Sequence, residues 1–130
     1  MKLPWSSKSE AEAPRETHSV TLRLDPSRLA NPETDLKFAV AEGLRRCHPE
    51  LWFTEFGFGY ARSSDAMLLA FGTREPDLLA KALIDVIEHE EILENRLAPA
   101  AIVAIADAGK DFAEHLVVYP DALKGSLLPD

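Results

Sequence analysis

Two amphipathic helical stretches, each set between segments of alternating apolar and polar residues, restrict this chain more than any other feature. In Ser19 to Leu24, Val20, Leu22 and Leu24 alternate with Thr21 and Arg23, the pattern of a strand buried on one face. Asn31-Pro32-Glu33 supplies a helix N-cap, a proline for the first helical position and an acid in the first turn. Leu36, Ala39, Val40, Gly43 and Leu44 follow at helical spacing, and Pro49 ends the run near Cys47 by forcing His48 out of the α region. Leu51 to Tyr60 reads as an aromatic second strand. Arg62-Ser63-Ser64-Asp65 reads as a hairpin loop, and Met67 to Phe71 as a third strand that is apolar on both faces and so central. Pro76-Asp77 opens a second helix whose stripe is Leu78, Leu79, Ala82, Leu83, Val86 and Ile87; it ends between His89 and Leu93. Ala101 to Ala106 and His115 to Tyr119 complete the set as fourth and fifth strands.

The order β-α-β-β-α-β plus a C-terminal strand predicts an α+β domain. Short connections and right-handed crossovers favour a ferredoxin-like split β-α-β sandwich, with two helices on one face of an antiparallel sheet. The domain is expected to span residues 18–119. Residues 1–17, polar with Pro4 and Pro14, read as a disordered N-terminal arm, and residues 120–130 as a C-terminal tail.

Apolar residues make up 46% and charged residues 28%, which suits a globular chain long enough to bury a core. A single cysteine, Cys47, excludes an intrachain disulfide and reads as a small core residue on the apolar side of the first helix. The apolar runs fall far short of the ~20 residues that a membrane helix needs. The N-terminus has no apolar stretch of the secretory kind, so a cytoplasmic protein that binds no membrane is expected. The net charge is −8, with −1 in residues 1–60 and −7 in residues 61–130 (six Lys and Arg against thirteen Asp and Glu). Such a field repels phosphate backbones and attracts basic partners, so no nucleic-acid binding is expected.

Two surfaces stand out. In the second strand Trp52, Phe56, Phe58 and Tyr60 are expected on one side, a partner or ligand face if left uncovered by the helices. The run Phe56-Gly57-Phe58-Gly59-Tyr60 resembles the aromatic strand of RNA-recognition motifs. It departs from that family by lying on the second strand and by lacking an aromatic partner in the first. The second surface is the carboxylate-rich end of helix two, where Asp85, Glu88 and Glu91 share the outward face of a helical wheel and Glu94 follows. It reads as a solvated face or as an acidic patch for a basic partner.

His18, His48, His89 and His115 are scattered, no Cys-x-x-Cys or phosphate loop is present, and no metal or cofactor is expected. The leading expectation is therefore a small non-enzymatic interaction module that binds a protein partner, such as an acidic inhibitor or immunity-type protein, or pairs with itself as a homodimer. One alternative is a regulatory domain holding a small molecule at a dimer seam. Another is an enzyme with an unrecognised site, which needs His48, His89 or His115 (the last beside Glu114 or Tyr119) to meet a carboxylate in a pocket.

Overall fold

A computed structural model describes residues 16–62, 64–111 and 114–129; the expected arm and its Trp5 lie outside these, except for Glu16 and Thr17. Two helices pack on a five-stranded, wholly antiparallel sheet. In chain order the elements are β1 (His18–Leu24), α1 (Leu36–Cys47), β2 (Thr54–Tyr60), β3 (Met67–Thr73) and α2 (Pro76–His89). After them come the small hairpin β4 (Glu91–Ile92) and β5 (Asn95–Arg96), then β6 (Ala101–Asp107) and β7 (Leu116–Tyr119). The strand order is β2-β3-β1-β6-β7, so each helix-bearing crossover skips one strand.

The alternation in β1 turns Val20, Leu22 and Leu24 toward the helices, where they join Leu69, Phe71 and Val103 from the neighbouring strands. From α1 come Leu36, Val40 and Leu44, and from α2 come Leu79, Leu83, Val86 and Ile87. β3 is buried along its whole length, as a strand with paired neighbours and two apolar faces should be.

The first strand departs from its expected one-sided burial: Ser19 and Thr21, which alternate with the core residues, are buried as well. The reverse face of the sheet carries a second cluster, in which Leu68, Ala104, Val117 and Leu128 pack together. Leu128 reaches it because the chain turns back after β7, with the Val117 amide donating to the Ser126 carbonyl at 2.8 Å and the Leu128 amide to the His115 carbonyl at 2.9 Å.

α1 begins at Leu36 rather than at Pro32, with Asp35 as an N-cap that makes no side-chain bond. Asn31 is engaged elsewhere. Its backbone amide donates to Asn95 Oδ1 at 2.7 Å, its carbonyl accepts from Asn95 Nδ2 at 2.8 Å, and its side chain donates to Glu33 at 2.6 Å. Asn95 thus imitates a strand neighbour and holds the loop before α1, with a further bond from Nδ2 to the Leu93 carbonyl at 3.1 Å. It is fully buried.

α2 stops at His89, where Glu90 turns to extended backbone, so Glu91 belongs to β4 and not to the helix face on which Asp85 and Glu88 lie. The two-residue turn between β4 and β5 puts Leu93 at φ 49° and Glu94 at φ 69°, values that favour Asn and Gly. β4 closes on α1, and a methyl placed on Gly43 would lie 3.2 Å from Ile92 Cδ1.

Candidate partner-binding edge

β2 is an edge strand, hydrogen-bonded to β3 alone among the described residues. Its register shifts between Glu55 and Gly57, leaving Phe56 as the extra residue of a β-bulge. Before the bulge Glu55 faces Phe71, and after it Phe58 faces Leu69 and Tyr60 faces Met67, all on the helix side. Phe56 lies on the reverse side: a methyl placed on Gly72 would fall 2.6 Å from its ring. The expected single aromatic face is therefore divided, since one extra residue inverts a period of two.

On the helix side, Phe58 and Tyr60 meet edge to face, with ring centroids 5.3 Å apart. Lys37 from the first turn of α1 holds its ammonium 4.8 Å from the Phe58 ring and 5.0 Å from the Phe38 ring. Farther along α1, Arg45 stacks 4.8 Å from Phe53 and pairs with Glu55 at 3.0 Å. The outcome is an edge at which Phe38, Trp52, Phe56 and Tyr60 remain 60, 39, 43 and 55% exposed. They are the exposed aromatic side chains among the described residues, and each belongs to β2, to the loop leading into it, or to the helix turn above it. Phe38 escaped the sequence reading because it sits on the polar side of an amphipathic helix, where a lone aromatic carries no periodic signal.

The opposite edge of the sheet is closed. Along the outer side of β7, Leu116 bridges Leu127, and the Gly125 amide donates to the Val117 carbonyl at 2.9 Å.

The acidic residues differ in their partners. Asp85 lies between two imidazoles, with His48 Nε2 3.1 Å from Oδ2 and His89 Nδ1 3.1 Å from Oδ1. Glu88 lies near Tyr119; burial, and then the Glu88 charge, push that phenol above its ordinary value. Glu90 pairs with Arg46 at 3.0 Å. Glu91 and Glu94 stand apart on the β4–β5 hairpin, exposed and in no ion pair among the described residues.

Of the histidines, His48 and His89 do converge on a carboxylate. The hollow beside His48 is shallow and lined by Glu50, Leu51, Leu78, Lys81 and Ala82, with no Ser, Thr or Cys to act as a nucleophile. His115 is buried and meets Ser19 Oγ at 2.7 Å through Nε2 and the Asp111 carbonyl at 2.8 Å through Nδ1. Among the described residues no three His, Cys, Asp or Glu side chains are placed to hold a metal ion, and no helix is long and apolar enough to cross a membrane.

Comparison with protein-family models, curated proteins and solved structures finds no match for this chain.

Proposed function

We propose that this chain is a small non-enzymatic interaction module on a ferredoxin-like split β-α-β sandwich, and that its β2 edge pairs with the same edge of a second copy. The skipped-strand crossovers and the helices on one sheet face support that fold. One observation carries the functional reading: the edge strand left unpaired among the described residues is where their exposed aromatic side chains gather. An edge strand offers unpaired amides and carbonyls, and exposed aromatic rings beside them are typical of interface cores rather than of free surface. A second copy is the occupant best supported, because antiparallel pairing of one edge with itself is self-complementary by two-fold symmetry. The other edge is already taken by residues 125–128.

Sedimentation equilibrium over a wide range of protein concentration tests this reading. The chain is expected to form dimers, and Phe56→Ser and Tyr60→Ser are each expected to weaken the dimer by about thirtyfold, as loss of a central aromatic anchor does. Both side chains are partly exposed within the single chain, so the monomer should keep its fold. A monomer at every concentration, or a dimer indifferent to both substitutions, would refute it.

A second reading, an acidic surface for a basic protein, is favoured by the exposed Glu91 and Glu94 on the β4–β5 hairpin and by the net charge of −8. It predicts salt-sensitive capture of a basic partner that Glu91→Gln and Glu94→Gln weaken.

A further inference from the structure

At the C-terminal end of β1, beside the start of β6 and the end of β7, lies a cleft of about 260 Å³. Arg23, Arg28, Pro99, Ile102, Pro120 and Leu123 are among the side chains that line it. Its charge runs against that of the molecule: two arginines and one aspartate, in a chain of net charge −8.

The two arginines are in different states. Arg28 donates to the Pro99 carbonyl at 3.1 Å and lies 3.9 Å from Asp25. Asp25 is occupied in turn, its Oδ1 accepting from the Ser27 amide at 3.0 Å and the Ser27 hydroxyl at 2.8 Å. Among the described residues the Arg23 side chain has neither a hydrogen bond nor an ion pair, although its charge acts on Asp25, and its Nε is shut away from solvent without a partner.

An Arg23 Nε packed beside apolar walls and lacking an acceptor is costly, because burial removes its water without replacing the hydrogen bond, while the rest of the side chain stays partly exposed. The other buried side-chain polar atom without a partner among the described residues is Thr21 Oγ1, two residues earlier on the same face of β1. Arg23 Nε is a cationic donor and lacks an acceptor, whereas the Thr21 hydroxyl can donate or accept and does not line the cleft. The cleft, open to solvent on one side, has room for a modest apolar body. A dry cavity of about 150 Å³ takes one benzene ring, so this cleft takes a ring with a short chain.

We propose that this cleft binds small organic carboxylates, the carboxylate on the Arg23 guanidinium and the apolar body against Pro99, Ile102, Pro120 and Leu123. A planar guanidinium suits a planar carboxylate, and the prolines and aliphatic side chains offer no polar group that a fully polar anion would need. The site lies at the C-terminal end of β1, whereas the proposed dimer edge is β2, so either assignment stands or falls without the other.

The test is an amide ¹H–¹⁵N NMR titration of the full chain with 3-phenylpropionate, run beside the uncharged 3-phenylpropionamide. The acid is expected to give saturable shifts confined to residues 23–28, 98–102 and 119–124, with a dissociation constant in the millimolar range or tighter. The amide should give none, and Arg23→Met should bind the acid at least about tenfold more weakly, as loss of a charge-assisted hydrogen bond requires. No saturation by the acid, equal binding of the amide, or wild-type affinity in Arg23→Met would each overturn the assignment. If Arg23→Met fails to fold, the comparison of acid with amide on the unaltered chain decides alone.

Discussion

Replacing Asn95 by alanine should be strongly destabilising. The side chain is fully buried and makes three hydrogen bonds, two to the Asn31 backbone and one to the Leu93 carbonyl. At about 1 kcal/mol net for each neutral bond they sum to about 3 kcal/mol, and alanine also strands the two Asn31 backbone groups. Asn31 is only half-buried, so water recovers part of that loss. The expected cost is about 2–4 kcal/mol, a fall in Tm of roughly 6–20 °C for a domain of this size. Urea unfolding followed by circular dichroism gives the first number. Hydrogen exchange at the Asn31 amide, slow in the parent and fast in the variant, locates the effect. Asn95→Asp sharpens the test, because it keeps the acceptor, loses the donors and buries a charge beside two carbonyls. A carboxyl so placed has a folded pKa raised above the unfolded value of about 3.9. Below that value only the loss of a donor should remain, and the deficit should grow as pH rises from the unfolded value toward the raised folded one. An Asn95→Ala protein within about 0.5 kcal/mol of the parent, the scatter of neutral surface changes, would refute the clamp.

Two further outcomes follow from local geometry. Leu93→Asn with Glu94→Gly should stabilise the domain by about 1 kcal/mol in the same urea assay, since both positions have positive φ and the new residues tolerate it; destabilisation would mean that the Leu93 side chain supplies packing that outweighs the strain. Ser27→Ala should raise the Asp25 titration seen by carboxyl NMR, because the Ser27 hydroxyl, then the Ser27 amide, hold that carboxyl below its ordinary value of 3.8. Since the folded pKa is depressed, the parent's advantage over Ser27→Ala should be whole at neutral pH and vanish as pH falls through the folded value.

Much of the secondary structure was legible because its signals are periodic. Val20, Leu22 and Leu24 announced a strand, and the stripe from Leu79 to Ile87 a helix, because each element buries a face of fixed period. What escaped notice has no period. β4 and β5 are two residues each, and Leu93-Glu94 lacks the Asn-Gly chemistry by which such a turn is normally recognised. Asn31 looked like a helix cap because capping and loop docking use the same side chain, and only the distant Asn95 separates the two. Arg23 looked like the wet side of a half-buried strand, because nothing in β1 tells that the reverse face is covered too. The bulge at Phe56 was equally silent, and with it the division of the aromatic residues over two faces.

That one edge of the sheet is closed by its own chain while the other is unpaired among the described residues bears on assembly. Strand addition that used both edges would hand each molecule on to the next without end, the route to fibres. Here the segment that bridges Leu127 to Leu116 occupies the second edge, so a pair joined through β2 has no strand left to offer. If copies pair through β2 as proposed, growth should stop at two, and shortening the chain before Gly125 should remove the stop, so that the truncated protein polymerises where the full chain pairs.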